Sequence, residues 1–132
     1  MMKNKNLIIG FLAIAILTIV SAACSDYGTK LDYNGGDLYY TKNVTEGDAK
    51  KLGDYLVKEK FFDGNPKTVQ LDKNGSTYQF RMVVLKDKQN DPATLQLMKT
   101  LASELSADVF GNAPTEIHVC DDQLKTLQVV KQ

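Results

Sequence analysis

The run Tyr78-Gln79-Phe80-Arg81-Met82-Val83-Val84-Leu85 limits what this chain can become. It is rich in aromatic and β-branched residues and alternates with period two, so it reads as a strand. Tyr78, Phe80, Met82 and Val84 fall on one face, and Gln79, Arg81 and Val83 on the other. Thr68 to Asp72 alternates ahead of it, with Val69 and Leu71 inward and Thr68, Gln70 and Asp72 outward. Asn74-Gly75 joins the two as a hairpin, supplying the two positive-φ residues of a type I′ turn. A strand with one fully apolar face needs a cover, and two stretches at helical spacing flank the hairpin. Thr45 caps the first, with Asp48 placed as its capping-box partner. That helix runs from Glu46 to Lys60 and buries Ala49, Leu52, Tyr55 and Leu56, before Asp63-Gly64-Asn65-Pro66 breaks it. Asp91-Pro92 starts the second, whose apolar stripe is Leu95, Met98, Leu101, Ala102, Leu105 and Val109. Gly111 and Pro114 end it.

Three further strands complete the domain. Asp37–Thr41 turns Leu38 and Tyr40 inward, or Tyr39 in the competing phase. Thr115–Cys120 turns Ile117 and Val119 inward. After the turn Asp121-Asp122-Gln123, Thr126–Val130 turns Leu127 and Val129 inward. The order β-α-β-β-α-β-β predicts an α+β fold. It is a two-layer sandwich with a ferredoxin-like split βαβ and an extra C-terminal strand. Two helices cover one face of a mostly antiparallel sheet and the other face is open. The phrases FFDGNPKTVQL, TYQFRMVV and EIHVCDD resemble a small bacterial α+β domain of uncharacterised activity, over about residues 37–130. That resemblance carries no functional residues.

The N-terminus carries an address. Lys3 and Lys5 precede Leu7–Val20, an apolar run of 14 residues, and Ser21-Ala22-Ala23 leads to Cys24. A charged start, a short apolar core and small residues make an export signal over residues 1–23. The core is shorter than the roughly 20 residues that a membrane span needs. Ala22-Ala23-Cys24 resembles the lipobox of bacterial lipoproteins, though Ser21 stands where that family usually has leucine. The resemblance implies that Cys24 is lipidated and becomes the mature N-terminus. It implies a membrane-anchored protein facing the periplasm or the cell exterior. Ser21-Ala22-Ala23 also satisfies ordinary signal cleavage, which would release a soluble protein. Residues 24–36 are polar, with Gly28, Asn34, Gly35 and Gly36, and read as a flexible tether to a single domain over 37–132.

Charge narrows the partners. The chain has 16 basic and 16 acidic side chains, and loss of Lys3 and Lys5 with the leader tips it slightly acidic. No basic patch marks a nucleic-acid surface. Two cysteines do not make a disulfide scaffold. Cys24 and Cys120 could pair only if Cys24 is not lipidated. No established catalytic motif is present, and no cofactor is implied.

The candidate site lies on the open face. Glu116, His118 and Cys120 share one side of their strand, and His118 is the only histidine. Imidazole, thiolate and carboxylate are metal ligands, and a cysteine–histidine pair can yield a nucleophile. Alternate strand residues sit roughly 6.5–7 Å apart at Cα, which places these side chains beyond easy mutual reach. The plainer reading is an ordinary histidine beside a small buried thiol. Gln70, Gln79, Arg81, Glu116, His118 and Gln128 together form a candidate recognition face for an envelope protein or a small ligand. Arg81, the only arginine, also fits a simple cross-strand pair with a glutamate.

Overall fold

The computed structural model describes residues 27–132; the leader, the lipobox and Cys24 lie outside the described residues. Six strands lie side by side in chain order: β1 (Thr29–Tyr33), β2 (Gly36–Tyr40), β3 (Lys67–Asn74), β4 (Thr77–Val83), β5 (Thr115–Cys120) and β6 (Thr126–Lys131). Helix α1 (Glu46–Lys58) joins β2 to β3, and α2 (Pro92–Asp108) joins β4 to β5. The strands linked by helices pair parallel, and the other three neighbouring pairs are antiparallel. The fold is α+β, with two helices and a six-stranded mixed sheet.

The sequential order replaces the expected ferredoxin-like one. Each helix returns the chain to the strand next door and leaves no gap for a later strand. Both arrangements share one string of elements and one apolar alternation, so the pattern along the chain does not separate them.

Register places Leu38, Val69, Met82 and Val119 in one row across the sheet, and Tyr40, Leu71, Phe80 and Ile117 in the next. Both rows join a single apolar cluster with Ala49, Leu52 and Leu56 of α1 and with Met98, Leu101, Ala102 and Leu105 of α2. Tyr55 of α1 also donates to Asp108 of α2 at 3.4 Å. Both helices therefore cover the same face. This has a geometric consequence. The two crossovers step the same way across the sheet between oppositely directed strand pairs, so on one face they must have opposite hands. Leu71 faces the helices and its carbonyl accepts from the Thr41 amide, on the β2 side. Seen from its side chain with the strand running upward, an L-residue points its main-chain polar groups to the right. β2 thus lies to the right of β3, and the α1 crossover takes the rare left hand.

The helix caps follow the sequence. Thr45 Oγ1 accepts from the Asp48 amide at 3.1 Å, and Asp91 Oδ2 from the Thr94 amide at 3.0 Å. The Asp48 carboxylate does not close a capping box: it accepts from Tyr78 Oη at 2.5 Å and ties α1 to β4.

Three expectations fail locally. The stretch read as a tether contains β1, whose hairpin with β2 turns at Asn34-Gly35 with φ of 41° and 87°. Both residues are left-handed, as a type I′ turn requires. At the second hairpin Asn74 pairs with Thr77, and only Gly75 of the turn has positive φ, at 62°. That is the pattern of a II′ turn, one residue later than expected. In β6 the phase is reversed. An irregularity between Val119 and Cys120 shifts the register, so Val130 packs on the core while Leu127 and Val129 are exposed.

α1 approaches β1 closely at Gly53, where an added Cβ would lie 2.2 Å from the Tyr33 ring. Tyr33 is itself stacked on Phe62, so it has little room to yield. Gly53→Ala is expected to cost about 1–3 kcal/mol, as overpacking does, read as a lower urea midpoint at unchanged slope. Tyr78 gives a second test. Burial, then its bond to Asp48, raise its phenol from 10.0 to about 12. A group whose pKa is raised in the fold stabilises it fully below pH 10, and loses that contribution as pH climbs toward 12. The stability gap between the native protein and Tyr78→Phe should shrink over that window; a gap constant from pH 8 to 12 would refute the bond's role.

Candidate functional site

The sheet face away from the helices carries the polar residues. Mid-sheet, Gln70 of β3, Arg81 of β4 and His118 of β5 stand in one row, with Gln79 and Glu116 one step along. Gln79, Glu116, His118 and Arg81 form a connected chain. Gln79 Nε2 donates to Glu116 Oε2 at 3.2 Å, and the same oxygen lies 2.7 Å from His118 Nε2. His118 Nδ1 is 3.2 Å from Arg81 Nη1 and 2.9 Å from Thr126 Oγ1. Guanidinium nitrogens only donate, so Nδ1 offers its lone pair and the ring hydrogen belongs on Nε2, shared with Glu116. That tautomer is assigned from the network. Arg81 Nη2 donates to the Leu124 carbonyl at 2.5 Å.

The last bond holds a strained loop. Leu124, between β5 and β6, has φ of 61°, a conformation that costs a branched residue of order 1–3 kcal/mol. Its amide donates to the Asp121 carbonyl, and its side chain is buried in a small second core with Tyr27, Val83 and Cys120. Tyr27 completes the cover. Its ring packs edge-on against Tyr39 at 5.5 Å, its hydroxyl donates to the Gln123 carbonyl, and its own carbonyl accepts from Gln70 Nε2 at 2.8 Å.

The face expected to be open is thus closed over its middle. Gln70 and His118 are buried, each 7% exposed. Gln128 does not belong to the face at all: it pairs opposite Val119 and lies on the helix side, because the irregularity after Val119 resets the phase of β6. Arg81 pairs with His118 and a main-chain carbonyl, not with a glutamate. Glu116 reaches His118 despite the spacing of alternate residues, because its two methylenes span the gap. Cys120 stays apart from the imidazole. Its thiol contacts the His118 carbonyl at 3.4 Å, and burial pushes its pKa up, against a thiolate.

Among the described residues, no three or more His, Cys, Asp or Glu side chains gather closely enough to hold a metal ion. Surface depressions of about 530, 440 and 330 Å³ lie around the sheet. Of the polar chain only Glu116 lines one of these, the 440 Å³ hollow shared with Asn112, Lys131 and Gln132. Sequence reasoning placed Arg81, His118, Glu116 and Gln79 together and missed Leu124 and Thr126. Nothing local marks Leu124, since a left-handed leucine has no signature in composition.

Fold and site together define a small α+β domain whose sheet carries a polar network bonded largely within itself. The chain belongs to the family described as AF_1994_N, family N-terminal domain, which matches residues 30–132. The match begins inside β1, so the family's domain includes the strand that sequence alone reads as tether. No curated protein and no solved structure matches.

Arg81→Ala should free the β5–β6 loop. The expected cost is about 2 kcal/mol, the range for a bond to a charged group, with faster hydrogen exchange at the Leu124 amide. A rate equal to that of the native protein would show that the loop holds itself. The buried Cys120 thiol should react with an aromatic disulfide only at the rate of unfolding in the native protein, and measurably faster in Arg81→Ala.

Proposed function

We propose that this chain is an exported, lipid-anchored protein of the cell envelope, held to a membrane through Cys24 and working as a non-enzymatic binding module. It faces the periplasm or the cell exterior. One observation carries the preference for binding over catalysis: both ring nitrogens of His118 and both terminal nitrogens of Arg81 are committed to neighbours within the fold. A general base or a metal ligand needs a lone pair aimed at solvent or substrate. The metal- or thiol-dependent alternative, centred on His118, Cys120 and Glu116, is left with the Glu116 carboxylate alone, since the imidazole is committed and the thiol is buried.

The surface left for a partner is the end of the sheet face that the Tyr27 cover does not reach. It comprises Gln79, Glu116 and Lys131 beside the 440 Å³ hollow. Its mixed charge and carboxamides suit an envelope protein's polar loop or a small polar ligand.

Intact mass of the membrane-extracted protein tests the anchor. The expected result is a chain that starts at Cys24 and carries a diacylglycerol-sized increment, with Cys24→Ser shifting the protein to the soluble fraction. A cytosolic chain still bearing Met1 would sink the proposal.

A further inference from the structure

We infer that the Tyr27 clasp turns the β5–β6 side of the sheet toward the lipid bilayer, so that Leu127 and Val129 rest on the membrane surface. The inference rests on the anchored reading above and adds an orientation to it: contact through the loop end of β6 leaves Gln79, Glu116 and Lys131, at the other end of the strands, reachable by a partner. Cys24 stands three residues before Tyr27. Three residues reach at most about 11 Å, against about 40 Å for residues 25–36, the stalk beyond Cys24 that the sequence suggests. Tyr27 is no part of a stalk. It is 8% exposed and fixed to the sheet by its ring, its hydroxyl and its carbonyl. The lipid-bearing end of the chain must therefore leave from the sheet face, and the helix layer lies on the far side.

What surrounds the exit fits a bilayer. Among the described residues three large apolar side chains are exposed, and two of them are on β6: Leu127 at 51% and Val129 at 41%. Val129 stands opposite His118 on the same face as Tyr27, and Leu127 rims the hollow beside the β5–β6 loop. The loop that Tyr27 touches leads directly into Leu127. The charged groups around that hollow are Lys86 against Asp121 and Asp122. Contact is thus driven by the tether's high effective concentration and by apolar burial, not by attraction to anionic headgroups. Zwitterionic vesicles should support it, and salt should not release it.

The test is a nitroxide on Leu127→Cys, Val129→Cys and, as the control on α2, Ser103→Cys, in membrane-extracted protein returned to phosphatidylcholine vesicles. Cys120 is fully buried and does not compete for label. Labels at 127 and 129 are expected to collide several-fold less with a water-soluble nickel chelate, and more with oxygen, than the label at 103. Equal exposure at the three positions, on protein whose mass shows the lipid, overturns the orientation alone. A mass without lipid removes the anchored reading and the orientation with it. Protection at 127 and 129 that persists in lipid-free solution, at twice the monomer mass, overturns the inference in favour of a second copy paired along β6.

Discussion

Two rows of side chains on one face of the sheet carry both helices. Phe80 and Met82 of β4 sit in those rows, fully buried, with Leu71 and Val69 on one flank and Ile117 and Val119 on the other. Neither helix has another apolar surface to cover, and neither would persist without one, since most helical stability in a domain comes from packing. The geometry then has no freedom left. Sharing one face between two parallel crossovers that advance in the same direction forces opposite hands upon them. The left-handed α1 connection is the cost of a single shared core, and Gly53 against Tyr33 is where that connection closes down on the sheet.

The far face solves a different problem. A polar row buried beneath a tyrosine and a leucine must satisfy itself, because an orphaned buried donor or acceptor costs more than a made bond returns. Arg81 is suited to this. Its planar fork bonds the imidazole with one terminal nitrogen and the Leu124 carbonyl with the other. One side chain thus sets the histidine tautomer and pins the loop. Its Nε, buried without a hydrogen-bond partner among the described residues, marks the end of what the network can supply.

How far the sequence could be read depended on whether the information was local. Asp91-Pro92, Thr45 and the alternation of Tyr78 through Val83 are local signals, and helices and strands lie where they put them. Asn34-Gly35 is the same dipeptide as Asn74-Gly75, yet only the second stood between two long alternating runs. The first was overlooked because β1 contributes only Leu31 and Tyr33 to the core. The phase of β6 was lost to an irregularity after Val119 that shifts register without any change in composition. Strand order was not legible, since parallel pairing across a helix is decided by contacts far apart in the chain. At the site, residue types were legible and partners were not: the reach of Glu116 and the carbonyl of Leu124 depend on how three strands and a loop meet.

Sequential strand order also sets when each contact can form. Every sheet pairing joins consecutive strands, so none waits for a later strand to be inserted. The Tyr27 hydroxyl and the Gln123 carbonyl, 96 residues apart, are the exception. That contact needs the C-terminal hairpin already in place, so in a chain delivered N-terminus first it closes last. Until then Tyr27 lacks its partner on the β5–β6 loop. Its fastening to the sheet reports that the rest of the domain is built.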